Sequence, residues 1–241
     1  MQTLFLSDLH LPDEPSTLRE GFRRFLAGPA RRASAVYILG DLFEYWIGDD
    51  VGMQAYAEEI AALKALTASG IAVYFMHGNR DFLVGRDFAA ATGVQLLRDP
   101  LMLDLYGRRT LLSHGDLWCT DDIGYQRWRS FSRNRFAQWV FSMLPVSRRQ
   151  KIAGGVRGQS ASAKRNKAES IMDVNTAAVD KAFQSRRVDR IIHGHTHRPA
   201  THSGQLQGRN VERIVLADWH DDRMEYLAVD EAGPQRVALN P

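Results

Sequence analysis

The chain has 241 residues, 44% of them apolar and 24% charged, the balance of a globular domain with a real core and not of a disordered or fibrous chain. Its net charge of +3 and pI near 9.1 permit an anionic partner without naming one. A single cysteine, Cys119, excludes an intrachain disulfide and fits a reducing compartment. No run approaches the ~18–20 apolar residues of a membrane-spanning helix, so a membrane is reached only from its surface.

In chain order, Thr3-Leu4-Phe5-Leu6 is the first predicted strand. It follows no basic region and is interrupted at once by Asp8, so it reads as a core strand and not as a signal peptide, and the expected location is cytoplasmic. Pro15-Ser16-Thr17 opens a helix to about Ala27. Ala35-Val36-Tyr37-Ile38-Leu39 is a β-rich apolar run ending in Gly40-Asp41, a carboxylate at a strand tip. A helix over about 53–68 follows, then a strand over 71–76 ending in His77-Gly78-Asn79-Arg80-Asp81. The order β-α-β-α-β predicts a parallel sheet with right-handed crossovers. Further strands are expected at 101–105, 109–113, 189–192, 211–217 and 224–228, the short late spacings implying antiparallel hairpins.

Residues Tyr125 to Lys167 differ from the rest. They hold eleven Lys or Arg and no Asp or Glu. Tyr125, Trp128, Phe136, Trp139, Val140 and Met143 recur at helical spacing on one face, and Pro145 ends the run. This predicts a basic amphipathic insertion, a lid over about 122–167, within a single domain spanning 1–241. Two readings stay open: a solvated basic helix on its own core, or a lid that meets something both anionic and apolar. A helix from Ser160 to about Phe183 would place Ser160, Lys164 and Lys167 on one face, continued by Ile171, Val174 and Ala178.

The chemistry gathers at strand ends. Asp8, His10, Asp41, Asn79, His114, His195 and His197 offer two carboxylates, one amide oxygen and four imidazoles, with no thiolate. That set suits Mn²⁺, Fe²⁺, Mg²⁺ or Zn²⁺. Seven ligands exceed one ion's need, so two ions sharing a carboxylate are expected; ions ~3.5–4 Å apart are a usual device for hydrolysing phosphate esters and anhydrides. In extended chain Asp8 and His10 face the same side and can reach one ion. His77, His193, His202 and His220 read instead as satisfied core or loop side chains.

Asp8-x-His10, Gly40-Asp41, Gly78-Asn79-Arg80-Asp81, His114-Gly115 and Gly194-His195-Thr196-His197 resemble the five blocks of the calcineurin-like metallophosphoesterases. Ser7-Asp8-Leu9-His10-Leu11, Gly40-Asp41-Leu42-Phe43-Glu44-Tyr45-Trp46, Gly78-Asn79-Arg80-Asp81-Phe82-Leu83 and Ser113-His114-Gly115-Asp116 are similar to the branch that acts on UDP-2,3-diacylglucosamine in lipid A synthesis. The resemblance implies an α/β/β/α sandwich with a helical cap, two Mn²⁺ ions, and hydrolysis of the diphosphate to UMP and 2,3-diacylglucosamine 1-phosphate (lipid X). It places that work at the inner face of the inner membrane, as a peripheral protein, with no nucleic acid as partner; a monomer is expected.

Carried over by resemblance, one ion falls to Asp8, His10, Asp41 and His197, the other to Asp41, Asn79, His114 and His195, with Asp41 bridging. Asp116 would orient His114. The catalytic set is Asp41, Asn79, Arg80, His114 and His195. Substrate contacts fall to Asn79, Arg80, Asp122, Ser160, Lys164, Lys167 and His195, with Arg157 a lesser candidate for its nearness in the chain. Most members of the family carry His where this chain has Arg80, whose planar fork suits a diphosphate; an Arg80–Asp81 ion pair is the alternative. Asp122 either meets uracil or sugar hydroxyls or is a helix N-terminal acid before Ile123. Competing readings are another metal-dependent phosphodiesterase or nuclease, with the basic insertion as a nucleic-acid surface, and a non-catalytic scaffold that has lost ligands. The contiguous aromatic face speaks against the former, and the full ligand set against the latter.

Overall fold

Side chains on successive strand residues point to opposite faces, and here both faces are buried. In β1 (Gln2–Leu6), Leu4 and Leu6 face one core and Phe5 another. In β2 (Ala33–Leu39), Val36 and Ile38 go one way and Leu39 the other. Two-sided burial is why these strands read as continuous apolar runs and not as alternating ones. A computed structural model describes residues 1–155 and 173–239.

The remaining strands are β3 (Ala72–Met76), β4 (Gln95–Leu97), β5 (Leu101–Leu105), β6 (Arg108–Ser113), β7 (Arg190–His193), β8 (Ala200–Leu206), β9 (Arg209–Val215), β10 (Glu225–Asp230) and β11 (Gly233–Ala238). They form a six-stranded sheet, β11-β10-β1-β2-β3-β4, and a five-stranded sheet, β5-β6-β7-β9-β8. Strands β1 to β4 pair in parallel, as do β6, β7 and β9. The late hairpins β8–β9 and β10–β11 are antiparallel, but the hairpins expected among the late strands read from the sequence do not form: β7 pairs with β9 in parallel and β10 lies in the other sheet.

Helices α1 (Thr17–Ala27), α2 (Asp49–Ala55), α3 (Ala57–Ala68) and α4 (Arg86–Thr92) belong to the first half. Phe22 and Phe25 of α1, Leu63 and Leu66 of α3 and Phe88 of α4 pack on the outer face of the first sheet. Phe5, Leu39, Met76, Leu112, Ile192 and Ile214 fill the space between the sheets. Behind the second sheet, Leu111 and Ile191 meet Val179 and Phe183 of a late helix, Thr176–Arg186. The layer order is therefore α/β/β/α.

Several expectations are corrected. The helix over 53–68 is two helices parted at Tyr56, whose φ of −114° and ψ of 34° are not helical. Tyr56 is buried against Phe43 and Trp46 and donates its hydroxyl to the Leu11 carbonyl at 2.9 Å, a tertiary demand that overrides local propensity. The helix expected from Ser160 does not run unbroken to Phe183. Asn175 has extended backbone and its side chain caps a new helix by accepting from the Ala178 amide at 3.0 Å, as N-cap residues do. Strands β4, β8 and β11 escape the sequence reading because β4 has three residues, and β8 and β11 are edge strands that bury little apolar surface.

The stretch 123–155 lies between β6 and β7 and is helical in three pieces: α5 (Ile123–Ser132), α6 (Arg135–Ser142) and α7 over 146–155. The helix Thr176–Arg186 is then α8. The expected single amphipathic face is broken at Arg133–Asn134, where Asn134 caps α6 by accepting from the amides of Phe136 and Ala137.

Candidate metal centre

The candidate ligands meet because the loops after β1, β2, β3, β6 and β7 end side by side. The Asp8 amide donates to the Gly40 carbonyl, that of His10 to Asp41 and that of Leu11 to Leu42, each at 3.0 Å. The first loop is not the extended chain that the Asp-x-His spacing predicts. Asp8 and His10 have φ of 56° and 48°, and Asp41, His195 and His197 have 52°, 70° and 55°. Five of the seven candidate ligands thus sit in the left-handed region, which costs energy outside glycine and persists only where surrounding structure over-determines it.

Close approach explains the neighbouring glycines. A Cβ on Gly78 would strike the Asp41 carboxylate and amide, and one on Gly194 would strike Asp8 Oδ2 and Ser7 Oγ. Only glycine lets the loops bearing Asn79 and His195 lie this near their partners.

Asp8 is fully buried. Its Oδ2 accepts from Ser7 Oγ at 2.6 Å and from the His195 amide at 2.8 Å. Its Oδ1 is buried with no hydrogen-bond partner and faces His197 Nε2 at 3.5 Å and His10 Nε2 at 4.0 Å. The two Nε2 atoms are 3.2 Å apart. Asp41 stands between the two histidine sets, with Oδ2 at 4.0 Å from His10 Nε2 and Oδ1 at 3.8 Å from His114 Nε2. Asp8, Asp41 and His114 converge as a second group beside Asp8, His10 and His197. The Leu39 carbonyl, 2.9 Å from His114 Nδ1, can only accept, so Nδ1 carries a proton and Nε2 is the nitrogen that faces inward. Asn79 Oδ1 lies 3.0 Å from that Nε2. The ring of His195 packs between those of His114 and Tyr125, at centroid distances of 5.0 and 5.6 Å.

Electrostatics sort these groups. Burial pushes Asp8 up, but the His197 imidazole facing it and the nearby imidazoles of His114 and His10 hold it well below the usual carboxylate range. Burial pushes His114 down, yet Asp41, Asp8 and Asp116 raise it to about 9. His197 follows the same pattern, raised to about 10 by Asp218 and Asp8 against burial. Burial and the positive His114 lower His195 to about 4. Protons thus hold the carboxylates and histidines together where cations can replace them. An orphaned buried carboxylate oxygen, imidazole Nε2 atoms facing one another and a donor set of oxygen and nitrogen alone fit divalent cations. Asp8, His10, Asp41, Asn79, His114, His195 and His197 are the residues placed to hold them.

Residues around the ligands carry further order, some of it unread in the sequence. Asp218 Oδ2 lies 3.2 Å from His197 Nδ1 and 2.7 Å from His220 Nε2. A signal for it exists in the sequence, a carboxylate just beyond the tip of β9, like Asp41 beyond β2. Asp81 does not pair with Arg80. It is buried and accepts from the Leu42 amide at 2.7 Å and the Gly78 amide at 2.8 Å, tying two ligand loops together. Arg80 Nη1 instead meets Glu44 Oε1 at 2.7 Å. Asp116 does not orient His114; it accepts from the Tyr125 hydroxyl at 2.8 Å and pairs with Arg129 Nε at 2.9 Å. Asp122 caps α5, accepting from the Tyr125 amide at 3.0 Å. Of the histidines set aside, His193 is fully buried between the Gly194 carbonyl and Arg213, His77 bonds the Val84 carbonyl at 2.7 Å, His202 is exposed, and His220 is drawn to Asp218. Arg157, Ser160, Lys164 and Lys167 lie outside the described residues.

The helical insertion is fastened to the ligand loops. Arg133 Nη2 donates to the Gly78 carbonyl at 2.9 Å and is 3.6 Å from Asp116. At the far end the buried Arg149 donates to the Ile47 carbonyl at 2.7 Å and pairs with Asp50. Between these ties Phe136, Trp139 and Met143 stand 56% exposed or more, as does Phe131 just before them, while α6 buries no residue. No helix among the described residues is long and apolar enough to cross a membrane.

A calcineurin-like phosphoesterase family model matches residues 1–199. The chain is 48% identical over 237 residues, 98% of each chain, to a UDP-2,3-diacylglucosamine hydrolase of Aeromonas hydrophila. It is 49% identical over 222 residues, 92% of each chain, to the protein of that name from Escherichia fergusonii. Over 232 residues, 96% of this chain and 97% of the other, it is 47% identical to that of Photorhabdus laumondii.

Proposed function

The chain belongs to the calcineurin-like phosphoesterase family, and from that premise we propose that it is a metal-dependent hydrolase of UDP-2,3-diacylglucosamine in lipid A synthesis. The observation that carries the reading is the convergence of Asp8, His10, Asp41, His114, His195 and His197 beside Asn79 and Arg80, under an insertion whose outward face is apolar and basic. One Mn²⁺ would be held by Asp8, His10, Asp41 and His197 and a second by Asp41, Asn79, His114 and His195, Asp41 shared. Bound divalent ions supply positive charge that polarises phosphoryl oxygens and acidifies water.

The chain's own groups bind and orient. Arg80, half-buried at the mouth of the cleft, presents a planar guanidinium to the diphosphate. His195, buried beside the His114 ring and held below the usual imidazole range by burial, is fixed in place among the ligand groups. Tyr125, buttressed by Asp116, closes the cleft over His195 and excludes water from that side. Water attacks the uridine-side phosphorus, the bond from that phosphorus to the bridging oxygen breaks, and UMP and lipid X leave. The sugar phosphate departs as an anion and needs less protonation than an alkoxide. Asp122, Arg157, Ser160, Lys164 and Lys167 are the proposed further contacts to substrate.

The insertion would meet the acyl chains and an anionic inner-membrane surface as part of a peripheral, monomeric protein. Each CH₂ buried contributes about 0.8 kcal/mol and each nearby Lys or Arg about 1 kcal/mol at an anionic surface. A nuclease reading accounts for the arginines but not for Phe136, Trp139 and Met143 on the outside. The test is product analysis: metal-stripped protein incubated with UDP-2,3-diacylglucosamine, with and without Mn²⁺. UMP and lipid X are expected only with metal. Failure to form them would overturn the substrate.

A further inference from the structure

We propose that Glu44 is a positioning residue that couples the metal-facing histidine of the first loop to the phosphate-gripping arginine of the third. Its carboxylate spans two partners. Oε2 is 3.3 Å from His10 Nδ1 and Oε1 is 2.7 Å from Arg80 Nη1. His10 turns its other nitrogen, Nε2, toward His197 Nε2 and Asp8. The Arg80 contact is a hydrogen bond; His10 Nδ1 is buried with no hydrogen-bond partner, so the same carboxylate that holds the fork of Arg80 faces an otherwise unsatisfied ring nitrogen of His10.

The backbone around Glu44 holds it for this. The Glu44 amide donates to the Leu11 carbonyl at 2.9 Å, and the Trp46 amide to the Arg80 carbonyl at 3.2 Å. The segment is pinned to both loops it joins. Side-chain exposures rise from His10 at 16% through Arg80 at 24% to Glu44 at 30%. That places the carboxylate at the rim, behind the groups that face inward, where it orients them without blocking entry. A carboxylate behind a ligating imidazole fixes tautomer and ring orientation.

Asp218 provides the contrast. It stands behind His197 as Glu44 stands behind His10, at 3.2 Å from Nδ1. Its other partners are His220 and Arg223, neither placed in the phosphate grip. Removing Asp218 should disturb metal binding alone, whereas removing Glu44 should disturb metal binding and substrate grip together.

The inference rests on the proposed function, in which His10 holds an ion and Arg80 holds phosphate. The experiment uses the full chain with Glu44→Ala, Glu44→Gln and Asp218→Asn, and measures Mn²⁺ binding to stripped protein by calorimetry, KM and kcat at saturating Mn²⁺, and Tm. Glu44→Ala is expected to weaken Mn²⁺ binding by roughly 10-fold or more and to raise KM. Glu44→Gln keeps one acceptor for two partners and should fall between wild type and Glu44→Ala. Asp218→Asn should weaken Mn²⁺ binding with KM unchanged. Wild-type Mn²⁺ affinity and KM in Glu44→Ala, or the same pattern in Glu44→Ala and Asp218→Asn, would overturn the proposal. If Glu44→Ala does not fold, Glu44→Gln decides by the same two readouts. If the wild-type chain does not turn over UDP-2,3-diacylglucosamine, the proposed function fails on its own. Calorimetry with Mn²⁺, and with inorganic phosphate on the Mn²⁺-loaded protein, then still decides whether Glu44 supports both partners.

Discussion

The ligand loops and the helical insertion touch at Tyr125 and Arg133, yet they are held by opposite means. In the loops the backbone carries the strain: Asp8, His10, Asp41, His195 and His197 all have positive φ, and glycines at 78 and 194 let neighbouring loops close on them. The insertion has ordinary helices and ordinary caps. What holds it is a few side chains at its two ends, Arg129 and Arg133 on one side and Arg149 on the other. The loops bury Asp8, Asp41 and His114, whereas the insertion leaves Phe131, Phe136, Trp139 and Met143 outside. Strain is tolerated where geometry must be fixed within a fraction of an ångström, and exposure where the partner is fluid and apolar. A rigid cleft beside an adaptable greasy face suits a substrate with a phosphate head and lipid tails.

The largest expected effect breaks this comparison if it fails. Chelation should abolish turnover and Mn²⁺ should restore it, because the cleft offers seven metal-competent ligands. Full activity in chelator would mean that the strained loops serve something other than metal. Next in size, Asp41→Asn is expected to lower kcat by on the order of 10³-fold, as for loss of a central electrostatic element, and by more than a His10 substitution does. A mild loss would reduce Asp41 to a turn residue.

The insertion should respond differently at its two kinds of residue. Serine in place of Phe136, Trp139 and Met143 should raise KM for the diacyl substrate about tenfold or more, on the basis of lost apolar contact. Tm and hydrolysis of a small activated phosphodiester should hardly move, since those side chains are largely exposed. Arg133→Ala should instead lower both activities, because Arg133 supports the Gly78 carbonyl next to Asn79. Equal behaviour of the two variants would erase the distinction between anchor and face. Excision of the whole stretch from Trp128 to Gly155 is a poorer test, since it removes Arg129, Arg133 and Arg149 and with them the ties to the cleft.

The smallest effect concerns acid stability. His193 is buried, donates from Nδ1 to the Gly194 carbonyl and accepts from Arg213, and burial lowers it from 6.5 to about 3. Its folded pKa lies below the unfolded one, so the unfolded chain takes up a proton first as pH falls. Stability attributable to His193 is full above about 6.5 and is lost progressively toward pH 3. Denaturant melts between pH 7 and 4, compared with those of His193→Gln, should show a shallower decline in the variant. Parallel curves would mean that His193 is not held neutral.

Much of the cleft is legible in the amino-acid sequence alone. Asp8, Asp41, Asn79, His114 and His195 follow strands whose two-sided burial makes them continuous apolar runs, and the glycines mark where the chain must turn sharply. Strand tips collect chemistry in a parallel sheet for topological reasons, so ligand order along the chain carries over into space. Edge strands β8 and β11 are invisible in the sequence because apolar periodicity reports burial, and they bury little. The break at Tyr56 and the new helix start at Asn175 are invisible because a tertiary contact and a side-chain cap decide them.

What the sequence determined by itself was therefore which residue types stand at which strand ends, and that an acid-free basic stretch interrupts the fold. Only the tertiary structure decided which carboxylate stands behind which histidine: Glu44 behind His10 and Asp218 behind His197, while Asp116 turned to Tyr125 and Arg129 and left His114 to a carbonyl. The same holds for Arg80, which found Glu44 and not its neighbour Asp81. Composition and period set the burial of a segment, a property of one chain stretch. Pairing between polar groups depends on the relative placement of loops brought together by the packing of two sheets, and no local pattern encodes it.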